Sequence, residues 1–395
     1  MKASIYTIKT DSGKSVTVTL KYNALNIFEE PSNNLWTFDL EGRLVGMYVG
    51  GKNYRRTLKN KFYLKSRYEE NGHVFRSVDE IDKFTIVPLI ETCFSLINNH
   101  LEELPNQYHK HLKAILKMDY DELEKNAEIF SNVYLPISIL PPDQYMSLVI
   151  QLTEGCNYNI CTFCNFYKDR PFKIKTADEL EEHINNVKGF LGKGLKLRKT
   201  IFLADANAVS TPMARLVNAL KSIENHFPKL NNIYSFIDVF TGLKKSINDF
   251  KILNQLGLKR VYLGIESGNN DLMSFLNKEQ SNVDIIELTT ILKSANINVG
   301  IIFLIGAGGE QFAERHMRDS LALIGKLPLS SSDMIYLSEL YETNQQYIDR
   351  MAKKKYELPS KNQIRAWSNS FKDQIKEIVG KKVQVSIYDI NQFFY

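Results

Sequence analysis

The chain has 395 residues, 44% of them hydrophobic, and a formal net charge of +5. That length is enough for a large catalytic domain plus a smaller one, and the composition is that of a soluble globular protein. No run of about 18 apolar residues occurs, so no transmembrane helix and no membrane partner are expected. The mild positive charge permits an anionic substrate but does not by itself call for nucleic acid. Four cysteines, three of them within one short stretch, argue against a disulfide framework and for a reducing, cytoplasmic compartment. Met1-Lys2-Ala3-Ser4 leads directly into an alternating pattern, without the apolar stretch of a signal peptide.

Residues 1–78 read as a β-rich N-terminal region. Ser4–Ile8 and Ser15–Leu20 alternate with period two around a turn at Asp11-Ser12-Gly13, and Trp36–Asp39 with Leu44–Val49 form a second hairpin around Glu41-Gly42. Gly50-Gly51 followed by Lys52–Arg56 reads as a turn followed by solvated arginines, with anion binding as the rival reading. Residues 79–145 are a helical segment and connector: Ile86–Leu101 has helical apolar spacing, with Cys93 as a small core residue. His109 and His111 fall on a polar stretch, as surface residues. The prolines between Leu135 and Pro142 mark the boundary before the next domain.

From residue 146 to 340, apolar runs alternate with helical patterns. The strand candidates are Ser147–Leu152, Thr200–Ala204, Ile233–Asp238, Arg260–Gly264, Asn298–Leu304 and Asp333–Leu337. Thr176 with Glu179 three residues on is a capping-box pattern, and Thr211-Pro212 reads as an N-cap with proline at the first helical position. Six such units predict an α/β fold, a parallel sheet curled into a partial (β/α)6 barrel with its chemistry at the C-terminal strand ends. Residues 341–395 read as a C-terminal helix, Gln363–Val379 with Trp367 and Phe371 on its apolar side, and a strand, Val383–Tyr388, able to pair with the N-terminal region or the barrel edge. The aromatic terminus, Phe393-Phe394-Tyr395, reads as packing.

The stretch Gln151–Arg170 follows the first barrel strand and carries Cys156, Cys161 and Cys164 in a C-x4-C-x2-C pattern. Three thiolates on one loop can hold three irons of a [4Fe–4S] cluster and leave the fourth without a protein ligand. An open metal position is where a reactant binds. The rivals are a zinc site, for which His183 is the nearest further ligand, and three inert cysteines.

With Phe163 just before the last cysteine, this loop resembles that of the radical S-adenosylmethionine (SAM) superfamily. It is most similar to the stand-alone, Elp3/MiaB/coproporphyrinogen-oxidase-like members, many of them without an assigned reaction. The commonest family spacing is C-x3-C-x2-C, so this chain has one extra residue before its second cysteine. The resemblance implies that the amino and carboxylate groups of SAM chelate the open iron. It also implies that an electron from the cluster releases a 5′-deoxyadenosyl radical, which takes a hydrogen atom from the substrate. Such a cluster needs a one-electron donor, a flavodoxin or ferredoxin.

The resemblance also assigns the SAM contacts. At the second strand end the family's Gly-Gly-Glu is replaced by Ala204-Asp205-Ala206-Asn207, so Asp205, Asn207 or the Ala204 carbonyl would hold the methionine amine. The alternative is that Asp205 caps the next helix. Gly264-Ile265-Glu266-Ser267-Gly268 resembles the family's G-x-E-S-G segment, whose acid takes the ribose hydroxyls. Asn277-Lys278 beyond it reads as helix surface. At the fifth strand end Gly306 and Gly308 would let backbone approach the adenine closely, and His316 further on reads as surface. Lys168 and Arg170 after the cysteines, and Asp333, Tyr336 and Ser338 near the sixth strand, are candidate SAM-carboxylate or substrate contacts at the barrel mouth.

The substrate expectation is a small molecule, with RNA (tRNA) or peptide modification as alternatives. The tail has no cysteine for an auxiliary cluster, the N-terminal region lacks the extra cysteine set of methylthiotransferases, and no acetyltransferase domain like that of Elp3 fits. An Fe–S electron carrier or cluster-delivery protein is the non-enzymatic alternative.

Overall fold

The computed structural model describes residues 3–9, 13–70, 73–278, 280–340, 344–388 and 395, without the side chains of 68, 70, 73–76 and 381. It divides into two compact units.

The first unit gathers Met1–Pro136, Asn185–Lys199 and Phe394–Tyr395. Its sheet is an eight-stranded antiparallel meander: β1 (Ser4–Lys9), β2 (Ser15–Leu20), β3 (Leu25–Glu30), β4 (Asn34–Phe38), β5 (Leu44–Val49), β6 (Lys52–Arg56), β7 (Phe62–Glu70) and β8 (His73–Ile81). The two expected hairpins are present as β1–β2 and β4–β5; Asp11 and Ser12 of the first turn lie outside the described residues. Alternation along β3 and β4 buries Leu25, Ile27, Trp36 and Phe38 on one face. The helix Lys83–His100 supplies Ile86, Ile90, Cys93 and Ile97 to the same core, and the Trp36 indole donates to the Leu89 carbonyl at 3.1 Å.

The arginines after Gly50-Gly51 are not all solvated. The turn is real, with both glycines at positive φ. Arg56, however, is buried: it donates to Asn60 Oδ1 at 2.6 Å and to the carbonyls of Leu44 and Leu123. Burial first, then the neighbouring Arg43 charge, lowers its pKa to about 10. His109 is likewise half-buried, paired through Nε2 with the Leu104 carbonyl.

The second unit holds Ile137–Ile184 and Thr200–Phe393. The expected parallel strands are there: β9 (Leu148–Gln151), β12 (Ile201–Ala204), β13 (Ile233–Phe236), β14 (Leu258–Glu266), β15 (Asn298–Ile305) and β16 (Met334–Glu339). Between the first two, β10 (Thr153–Glu154) and β11 (Lys173–Ile174) pair as a short ribbon. A seventh parallel strand, β17 (Gln384–Tyr388), joins β16 at the sheet edge, giving the order β17-β16-β15-β14-β13-β12-β9. The fold is thus an α/β partial barrel. Every residue of β9, β12 and β16 is buried, as expected of parallel strands covered on both faces.

The capping box at Thr176 forms: Thr176 Oγ1 accepts from Glu179 N, and Glu179 accepts from Thr176 N. The Thr211 cap does not. The helix Met213–His226 starts from Pro212, and Thr211 instead ends the preceding turn, with its carbonyl taken by Lys245 Nζ. The turn and the proline fix Thr211 at φ −52°, ψ 137°, one residue too early for its hydroxyl to reach the helix amides.

Candidate active site

Extended backbone ends at Glu154, and Gly155 turns the chain into the cysteine loop at φ 74°. A Cβ there would lie 2.9 Å from the Pro171 carbonyl oxygen, so only glycine admits this turn. The loop is held on two sides. At its base the Gly155 amide donates to Asp205 Oδ2 at 3.1 Å, and the β10–β11 ribbon closes the neck. On its far side the Thr162 amide donates to the Leu276 carbonyl at 3.0 Å, and Asn277 Nδ2 donates to the Ile160 carbonyl at 2.9 Å.

So braced, Cys156, Cys161 and Cys164 are all free, half-buried, and line one cavity of about 230 Å³ at the C-terminal strand ends. Burial pushes the Cys161 thiol up to about 12, against a lowering by the Lys278 charge, and it raises the Cys164 thiol too. A metal that binds them must displace those protons.

The rival zinc ligand is committed elsewhere: buried His183 accepts the Gln151 amide through Nε2 at 3.1 Å. Among the described residues no three His, Cys, Asp or Glu side chains are gathered around a single-ion site. Three thiols on one loop facing one cavity are, by contrast, a donor set suited to a cluster, which spreads its ligands over several metal atoms.

Some of the other expected residues share this cavity. Phe163, Asn207, Glu266 and Ser338 line it. Asn207 is buried; its Nδ2 donates to Asn157 Oδ1, Thr241 Oγ1 and Asp238 Oδ2, while its Oδ1 has no partner. Glu266 sits at φ 62°, and its Oε1 accepts from Lys278 Nζ at 2.6 Å. Lys278 also donates to the Gly264 carbonyl at 2.6 Å. A Cβ on Gly264 would fall 2.5 Å from Glu266 Oε1, so the glycine makes room for the ion pair. Lys278 is therefore a cavity residue and not helix surface. Burial opposes its charge, yet Glu266 and Cys161 hold its pKa above the ordinary value.

The remaining expected residues point away. Asp205 is buried beneath the loop: it accepts from Gln151 Nε2 and the Gly155 amide and faces Arg170 Nη2 at 3.4 Å, with burial the chief reason its pKa is raised. It acts as a brace for the cysteines. Ala204 is buried at the end of β12, outside the cavity lining. Ser267 Oγ meets His316 Nδ1 at 2.7 Å; His316 is buried, not superficial, and burial lowers its pKa to about 4.

Gly306 and Gly308 face the tail and a neighbouring helix, not the cavity. A Cβ on the first would meet Ile364 at 2.9 Å, and the Gly308 amide donates to Tyr347 Oη at 2.7 Å. Lys168 is exposed and donates to the Asn159 carbonyl, while Arg170 pairs with Asp169 and Asp205. Tyr336 reaches the opposite end of the barrel, donating to Asp143 Oδ1 at 2.7 Å, and Asp333 accepts the Val299 amide and pairs with Lys293 there.

Residues that the motifs did not single out complete the cavity. Asp238, the last residue of a predicted strand, accepts from Thr241 N and Oγ1. Phe236, Phe240, Leu340 and Tyr388 add apolar wall. The strand-end position was the signal available for both Asp238 and Tyr388, the last residues of their predicted strands.

The radical SAM superfamily model matches residues 150–321. No functionally curated protein matches the chain. Among solved structures, coproporphyrinogen III oxidase (HemN) from Escherichia coli is 18% identical with a TM-score of 0.44, over 58% of this chain and 52% of that one. The methyltransferase TsrM from Kitasatospora setae is 15% identical with a TM-score of 0.38, over 52% of this chain and 39% of that one. Elp3 from Methanocaldococcus infernus is 14% identical with a TM-score of 0.40, over 61% of this chain and 56% of that one. The chain thus spans well under two thirds of the length of each of these structures.

Proposed function

We propose that this chain, whose residues 150–321 match the radical SAM superfamily model, is a radical SAM enzyme whose Cys156, Cys161 and Cys164 hold a [4Fe–4S] cluster. The observation that carries this reading is the convergence of three braced thiols with Asn207, Glu266 and Lys278 on one cavity. When bound, the cluster and SAM supply a 5′-deoxyadenosyl radical able to take a hydrogen atom from carbon.

The chain's own residues orient that group. The unpartnered Asn207 Oδ1 is a buried acceptor that suits an ammonium. Glu266 is a strand-end carboxylate able to accept from a ribose diol. Lys278, already beside it, is the cation to meet a carboxylate. Asp205 and Arg170 position the loop beneath. The substrate is a small molecule, and the electron comes from a small one-electron carrier such as a flavodoxin or ferredoxin. Among the described residues no helix is long and apolar enough to cross a membrane.

Anaerobic reconstitution with iron and sulfide, then addition of SAM and dithionite, tests this directly. 5′-Deoxyadenosine is the expected product. An intact cluster that yields none would instead make the protein an Fe–S carrier. Replacing any one of the three cysteines by Ala is expected to abolish the visible iron–sulfur absorption and leave the far-UV circular dichroism unchanged.

A further inference from the structure

Beyond the thiols the cavity wall changes character. Phe236, Phe240, Ile302, Leu304, Leu340 and Tyr388 line it with hydrocarbon and aromatic surface. Tyr388 spends its hydroxyl on the Leu140 carbonyl at 2.7 Å, so it offers mainly its ring. Among the described lining residues Lys278 is the single cation; it is shared between Glu266 and the Gly264 carbonyl and, in the function proposed above, is committed to the carboxylate of SAM. Lys168 and Arg170, the expected substrate cations, do not line the cavity. The remaining charge is negative. Asp238 is lodged in the wall with three of its roughly four acceptor sites taken, by Thr241 N, Thr241 Oγ1 and Asn207 Nδ2. Ser338 adds one hydroxyl.

A phosphate or carboxylate entering here would lose its water without gaining a cation from the lining, since the Lys244 ammonium, 4.0 Å from the Phe240 ring centre, is not part of it, and an unpaired buried charge is strongly disfavoured. An apolar group is favoured by every square ångström of wall it covers. A hydrogen-bond donor, neutral or cationic, can use the vacant lone pair of Asp238. We propose that the substrate portion admitted to this cavity is an aromatic or aliphatic group bearing such a donor and carrying no anionic group. This rests on the function proposed above, which puts the reacting atoms in the same cavity, and it disfavours a nucleic-acid substrate there.

Three probes that share one ring and differ in charge test it: 2-naphthylmethanol, 2-naphthylmethylamine and 2-naphthoate. Each is titrated by its fluorescence into the reconstituted protein with SAM present. The alcohol and the amine are expected to bind at least about tenfold more tightly than the carboxylate. Asp238→Asn keeps an acceptor for the helix cap and is expected to remove any preference for the amine over the alcohol. Phe240→Arg, at a position 65% exposed and so tolerant of change, is expected to narrow the gap to the carboxylate by about tenfold. Carboxylate binding equal to that of the alcohol overturns the proposal, as does an order of affinities that neither substitution moves. Probe affinities do not depend on SAM turnover. A preparation that keeps the order but makes no 5′-deoxyadenosine therefore counts against the enzyme reading alone.

Discussion

The two ends of the parallel barrel are built from the same strands and do opposite things with their polar groups. At the N-terminal end, Asp143 takes hydrogen bonds from Tyr262, Tyr336, Gln144 and Arg260, at 2.6, 2.7, 2.8 and 3.0 Å. At that end the carboxylate is fully used, with Arg260 Nε the one buried donor of the group without a partner, and burial together with the Asp143 charge raises both phenols far above their ordinary range. At the C-terminal end, the Asn207 amide oxygen is left without a partner, Glu266 keeps one oxygen outside its pair with Lys278, and three thiols outside any disulfide face the cavity. A satisfied network stabilises; an unsatisfied one waits for a ligand. The difference separates the polar residues that are used up in holding the fold from those left open towards the cavity.

Breaking the closed end is expected to have the largest effect on stability. Asp143→Ala strands two phenols and takes the carboxylate from Arg260, which keeps the Ser332 carbonyl, and should cost about 3 kcal/mol in chemical denaturation, with cluster content per folded molecule unchanged. Loss of the cluster with no loss of stability would reverse the roles assigned to the two ends.

Next comes His316, whose pKa of about 4 lies below the ordinary 6.5. The unfolded chain therefore takes up a proton first as the pH falls. Stability should be complete above pH 6.5 and decline between there and about pH 4, by at most ~3 kcal/mol. His316→Gln should flatten that part of the pH–stability curve.

Asp205→Asn sharpens the comparison at the site end. It keeps an acceptor for the Gly155 amide but loses the pairing with Arg170. About 1 kcal/mol of stability should go, together with faster loss of iron to a chelator. Thr176→Ala removes one half of a capping box just past the cysteine loop. It should cost about 1 kcal/mol and leave iron content alone; a change in iron content would mean that the cap also sets the loop.

The barrel strands were legible because each is a short apolar run between turn residues, and burial on both faces demands such runs. That the cysteines and Glu266 share one cavity was legible for a different reason: it depends on position at a strand end, which sequence order fixes. Side chains whose roles depend on distant packing were not. Lys278 reads as surface until the chain folds back over Gly264. His316 and Ser267 lie 49 positions apart, and only the fold brings them into contact. Gly306 and Gly308 read as a close approach to a ligand ring, but the approach they permit is that of Ile364 and Phe312. Tyr336 follows the period of its strand correctly, yet residues two apart on a barrel strand face different heights of the interior; Ser338 reaches the mouth, and Tyr336 reaches Asp143.

The hydrogen bond from Tyr388 to the Leu140 carbonyl joins residues 248 positions apart. Both belong to the second unit, and Tyr388 forms part of the cavity wall. During synthesis the thiols emerge long before that wall exists, and it is completed only when β17 docks beside β16. Until then the apolar compartment stands open to water on one side. Shielding of this compartment therefore depends on a strand that is synthesised after every residue of the cysteine loop.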